Sequence, residues 1–152
     1  MVSGAAIAVC FAPEEDCAAF AVRAIENAER EILVGAYGLT TRSGIVEALV
    51  RAKDRGVDVR LIADKTTPCE GASGIEPLAA AGVPIWIDDR ARVAHGKTMV
   101  IDGAVTLRGS MNWDARRRGE LRRPQPCLVV RSRGSLRGPL ARTPRGRSPR
   151  DL

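Results

Sequence analysis

At 152 residues, with 45% of them apolar, the chain is too rich in core formers to be disordered and too short for two comfortable domains. Aromatics are only 3%, so Ala, Val, Ile and Leu must fill the interior. The formal charge of +6 divides unevenly: residues 1–114 carry 12 Lys+Arg against 16 Asp+Glu (−4), and residues 115–152 carry 12 Arg against 2 acids (+10), so the basic pI excludes nothing about the body and describes the tail.

"AAIAVCFAP" predicts a first strand closed by Pro13. It leads straight into acids with no preceding basic patch, which predicts neither a signal peptide nor an anchor and places the protein in the cytoplasm. "EEDCAAFAVRAIENAER" follows a helical period, with Phe20, Ala24 and Ala28 spaced by four and acids at the dipole-favoured end. "EILVGAY" is a nearly unbroken apolar run, the pattern of a strand covered on both faces. "SGIVEALVRAKDRG" predicts a helix capped by Ser43 and ended by Gly56, and "VDVRLIAD" a strand. "SGIEPLAAAG" fits a short helix with Pro77 in its first turn, and "VPIWID" another strand. Strand and helix alternating three times before a last strand predicts an α/β sandwich with a largely parallel sheet and right-handed crossovers.

After Asp89 the rhythm changes. "KTMVIDGAVTLRGS" reads as two short strands joined at "DG". Past Trp113 the period fails: "CLVV", residues 127–130, is a candidate last strand, and the remaining Arg-, Pro-, Gly- and Ser-rich text predicts disorder. Four cysteines without a CxxC argue against a disulfide scaffold and against zinc, leaving reduced thiols as the expectation.

"VAHGKTMVIDGAVTLRGSMNW" holds the chain's one histidine. On a strand His95 and Lys97 would share a face, and an imidazole beside an ammonium suits an anionic substrate. Asp102 stands at the hairpin corner, and Gly109, Ser110 and Asn112 come out of the second strand, where small polar groups would donate to phosphoryl oxygens. Singly, each has a plainer account: a surface histidine, a solubilising edge lysine, ordinary hairpin grammar at Asp102-Gly103, and a cap at Ser110 or Asn112. Their joint order within eighteen residues is what favours a site.

"HGKTMVIDG…GSMNW" closely resembles the phospholipase D superfamily signature: His, any residue, Lys, four residues, Asp, then a Gly-Ser-x-Asn element. "CFAPEEDCAAFAVRAIENAEREILVGAYGLTT", "ALVRAKDRGVDVRLIADK" and "LAAAGVPIWID" also look like its small bacterial single-motif members, so the likeness runs from about Cys10 to Asp114. The resemblance implies a mixed, largely parallel sheet flanked by helices, and a metal-independent phosphodiesterase without cofactor. In that family two motif copies build one site: one histidine attacks phosphorus to give a phosphohistidine, and the other protonates the leaving oxygen and then activates water. A single copy per chain implies a homodimer in which His95 and Lys97 of each subunit meet across a two-fold axis. Asp102 would support the site; Lys97, Gly109, Ser110 and Asn112 would bind phosphate. The substrate class would be a nucleic acid or a phospholipid, as for nuclease-like or cardiolipin-hydrolase-like relatives, with no stable insertion into a membrane.

The likeness weakens after Trp113. Asp114 stands where relatives have Thr, Arg116-Arg117-Arg118 follows, and the final helix of the family is missing. Residues 1–114 are therefore expected to be the phosphodiesterase domain and 115–152 a disordered or frameshifted tail. A different class of function is a catalytically silent nucleic-acid binder that acts through that tail.

Overall fold

A computed structural model describes residues 6–11, 15–69, 72–90, 92–113 and 140–142. Helix α1 spans Cys17–Glu26 and begins where the Asp16 carboxylate accepts the Ala19 N–H at 2.9 Å, three residues later than the acidic run at 14–16 suggests. Strand β1 is Glu31–Ala36, helix α2 Ile45–Asp54, strand β2 Asp58–Asp64, helix α3 Ile75–Ala80 and strand β3 Ile85–Asp88. Strands β4, Lys97–Ile101, and β5, Val105–Arg108, form the hairpin, and β6 is Leu140–Arg142. Gly44 rather than Ser43 occupies the cap of α2. The Ser43 hydroxyl lies 3.2 Å from the carbonyls of Thr40 and Trp113, to either of which it can donate, and its oxygen accepts the Ile45 N–H at the start of α2 at 3.4 Å.

The sheet runs β5-β4-β1-β2-β3-β6 and is open. β1, β2 and β3 are parallel, joined through α2 and α3, and β6 lies parallel to β3; β4 is antiparallel to both β1 and β5. The fold is an α/β sandwich with a mixed, partly parallel sheet and flanking helices. One sheet face carries Ile32, Val34, Val59, Leu61, Met99 and Ile101, which share a buried core with Ile25 of α1, Leu49 of α2 and Leu78 of α3. Burying each large aliphatic chain contributes roughly 1.5–3 kcal/mol, so this cluster is the main source of stability. The opposite face carries Leu33, Ile62, Trp86 and Val100, which line an apolar groove of about 480 Å³. Among the described residues, the continuous apolar sequence of β1 thus meets helices on one face and a groove on the other.

Three expectations are corrected. The first strand does not form: residues 6–11 carry no regular structure and no ladder partner among the described residues, and Ile7, Val9 and Phe11 stay exposed. Alternation marks a segment able to be a strand, but it does not supply the neighbouring edge. Reduced thiols are overturned at Cys10 and Cys17, which form a disulfide with Cα atoms 5.7 Å apart. The Phe11 N–H donates to the Glu15 carboxylate at 2.6 Å and the Glu15 N–H to the Phe11 carbonyl at 2.9 Å, so the chain doubles back and delivers Cys17 to Cys10 without a CxxC. Within the tail, residues 140–142 pair with β3, where the sequence shows no strand pattern. The candidate strand at 127–130 lies outside the described residues, as does the question of a missing last helix. No helix among the described residues is long and apolar enough to cross a membrane.

Candidate active site

Lys97 opens β4 opposite Ala36, the last residue of β1. One ladder-like bond follows, from the Tyr37 N–H to the Gly96 carbonyl at 2.9 Å, and then Gly38 turns the chain away at φ +71°. His95 consequently has no strand partner and sits in a loop before β4, not on the strand as its spacing from Lys97 suggests. The two side chains meet nonetheless, through Tyr37. The His95 and Tyr37 ring centroids are 4.4 Å apart, tilted by 54°, and the Lys97 Nζ lies 4.7 Å from the Tyr37 centroid. Lys97 is buried at 5% exposure and donates from Nζ to the His95 carbonyl at 3.0 Å, while His95 is exposed. A solvent-facing imidazole beside a desolvated ammonium can meet an anion whose attraction to the ammonium is strengthened by low local dielectric.

The Gly-Ser-x-Asn element arrives beside this cluster. Arg108 at the end of β5 pairs with Thr98, so Gly109 and Ser110 leave the sheet level with Lys97, and both are exposed. Asn112 packs over Gly38: a Cβ placed there would stand 3.2 Å from its Cβ, Cγ and Nδ2 atoms. Trp113 fixes the segment by donating from Nε1 to the Gly35 carbonyl at 3.3 Å, and its own carbonyl accepts the Thr40 N–H at 3.1 Å.

Asp102 does not join the cluster. It lies at the far end of β4, where its carboxylate accepts the backbone N–H groups of Glu29, Arg30 and Glu31 at 2.8–2.9 Å. Those three donors hold its carboxyl below the usual carboxylate range. With φ +55° at Asp102 and +67° at Gly103, it also forms the hairpin corner, closed by the Ala104 N–H on the Ile101 carbonyl at 3.0 Å.

Two contributors escaped the sequence reading. Tyr37 ends the apolar run of β1, which carries no sign of a site. Asp64, at the end of β2, is buried at 1% exposure and accepts the Thr66 N–H at 2.9 Å, the Thr66 hydroxyl at 2.6 Å and the Ala94 N–H at 2.6 Å. Burial pushes its carboxyl up, but these bonds together with the charge of Lys65 outweigh burial and hold it below the ordinary value. A lone acid closing an apolar strand was the available signal. As for metals, Cys10, Glu15 and Cys17 bring their donor atoms together, but both sulfurs are spent on the disulfide.

Residues 21–122 match the family described as cardiolipin synthase, PLD-like domain. The phospholipase D of Rickettsia prowazekii is 36% identical over 107 residues, covering 70% of this chain and 52% of that protein. The mitochondrial cardiolipin hydrolase of Xenopus tropicalis is 39% identical over 69 residues, covering 45% of this chain and 33% of that one. Among solved structures, Nuc of Salmonella typhimurium, a phospholipase D family member, superposes with a TM-score of 0.61 at 31% identity, over 68% of each chain. The chain spans about half the length of the curated phospholipase D relatives it matches.

Proposed function

Given that this chain belongs to the phospholipase D superfamily, we propose that it is a phosphodiesterase whose nucleophile is His95 and whose complete site is shared by two copies. The observation that carries the reading is the exposed His95 ring and the buried Lys97 ammonium gathered against the same Tyr37 ring. An unprotonated His95 nitrogen gives its lone pair to phosphorus while the bond from phosphorus to the leaving oxygen breaks. His95 of the partner subunit supplies the proton that oxygen takes up. It then accepts a proton from water as the water oxygen displaces the imidazole, releasing the product. Lys97 and donors from Gly109, Ser110 and Asn112 stabilise the charge gained by the phosphoryl oxygens. Asp102, held at the other end of β4, takes no part in these steps. We assign this activity to residues 1–114 and expect it to need neither metal nor cofactor.

The relatives named phospholipase D and cardiolipin hydrolase support a phospholipid diester, and the motif suits a nucleic-acid diester equally. The Cys10–Cys17 disulfide favours an oxidising compartment over the cytoplasm. The test is hydrolysis of bis(p-nitrophenyl) phosphate with EDTA present, followed by single-stranded DNA and cardiolipin vesicles as substrates, with the mass of the oligomer measured in parallel. Turnover that disappears in His95→Ala, with a trappable phosphoenzyme in the wild type, is expected; turnover by a strict monomer would break the shared-site reading. The +10 tail favours a second reading, a silent nucleic-acid binder. Salt-sensitive DNA binding without turnover, lost on truncation at Asp114, would establish that reading instead.

A further inference from the structure

We propose that Asp64 is a positioning residue for His95, holding the loop that carries the imidazole by its backbone; the catalytic part of this inference rests on His95 being the nucleophile.

The loop between β3 and β4 has no regular structure from Val93 to Gly96, yet three consecutive residues in it are tied. The Gly96 carbonyl accepts the Tyr37 N–H, the His95 carbonyl accepts Lys97 Nζ, and the Ala94 N–H donates to Asp64 Oδ2 at 2.6 Å. The first two bonds come from the β1–β4 pair on the C-terminal side of His95. The third reaches across from β2, thirty residues away in sequence, on the N-terminal side. Gly96, with open space where a Cβ would be, is the natural pivot of this loop. A backbone fixed only beyond His95 can swing about that pivot; one fixed on both sides cannot.

The acceptor is suited to the purpose. A bond to a carboxylate is shorter and roughly twice as strong as one between neutral groups, and this carboxylate is buried, so water competes poorly for Ala94. Its other oxygen is occupied by Thr66, which fixes the carboxylate before the loop docks on it. Local turn formation explains the Thr66 bonds. It does not explain a buried acid whose second oxygen is spent on the residue preceding the chain's one histidine.

That histidine makes the test clean, because its Cε1 proton gives one assignable resonance in the full chain. In Asp64→Ala the His95 resonance is expected to broaden or split, and kcat on a diester substrate to fall roughly 10- to 100-fold, the range for a misplaced reacting group, with KM within about twofold. Asp64→Asn keeps an oxygen for Ala94 but turns an amide NH₂ toward Thr66, so it should restore much of both readouts. Thr66→Ala keeps the backbone N–H on Asp64 Oδ1 and loses only the hydroxyl bond, so it should lower thermal stability while shifting the His95 resonance less than Asp64→Ala does. A His95 resonance in Asp64→Ala and Asp64→Asn identical to wild type overturns the inference, as does an unchanged kcat in an active protein. Should the wild type prove inactive, the functional reading falls, while the resonance comparison still decides the role of Asp64.

Discussion

Replacing Tyr37 by Leu removes the ring on which the two reactive side chains are seated. A cation–π contact contributes about 0.5–1 kcal/mol at an exposed site and about 2 when desolvated; Lys97, at 5% exposure, belongs near the upper figure. The tilted contact to exposed His95 adds roughly 0.5 kcal/mol, the low end for ring pairs. Together they amount to about 1.5–2.5 kcal/mol of positional energy, or roughly a 10- to 70-fold fall in kcat/KM. Tyr37→Phe retains both ring contacts and should stay within about threefold of wild type by the same conversion. A second assay needs no substrate: carbethoxylation of the lone histidine, followed by difference absorbance, should be faster in Tyr37→Leu and unchanged in Tyr37→Phe. Wild-type kcat/KM together with a wild-type modification rate in Tyr37→Leu would refute the seating argument.

Gly38→Ala places a Cβ 3.2 Å from the Asn112 side chain at φ +71°. The expected cost is about 1–2 kcal/mol from the left-handed backbone alone, seen as a lowered Tm in calorimetry, with Asn112 displaced. Asp102 has a depressed folded-state pKa, so its stabilisation is present above the unfolded carboxylate value of about 3.9 and is lost as pH falls through the folded value. Denaturant titrations at descending pH should therefore show acid-induced loss that is flatter in Asp102→Ala, and equal slopes would contradict the clasp. Peptide mapping without reductant should recover Cys10 linked to Cys17, and Cys10→Ser should lower stability by up to about 2.5 kcal/mol, the loop-closure entropy for a cross-link this short.

Much of the architecture was legible because periodicity reports burial directly. β1, β2, α2, α3 and the hairpin fall where the pattern puts them, and Pro77 sits in the first turn of α3 as required. The failures have a common physical origin: a pattern describes a segment, not its neighbour. Ile7, Val9 and Phe11 alternate as strand residues do, but no edge among the described residues receives them. At the site, His95, Lys97 and the Gly-Ser-x-Asn element were legible as a motif, and the register of β4 and β5 brings them to one end of the sheet. Asp102 was legible at the hairpin corner, whereas its three backbone donors appear only once β4 lies beside β1. Tyr37 and Asp64 were invisible for the same reason, since their link to His95 exists only once β1, β2 and β4 lie side by side.

The Asp102 clasp gives the spacing of the motif a meaning of its own. Five residue-to-residue steps of extended chain lead from Lys97 to Asp102, roughly 17 Å at a strand's usual rise, and β1 from Glu31 to Ala36 spans the same five steps. The interval is therefore a ruler laid against the neighbouring strand. With one end hooked on the Glu29–Glu31 amides, the other can stop only at Ala36. A slip of one residue would turn Lys97 from the interior to the opposite face and strip the carboxylate of its three donors together. The aspartate thus proofreads strand alignment from the far end of the sheet, and a chain that pairs its hairpin wrongly loses stability and reactive group in one step.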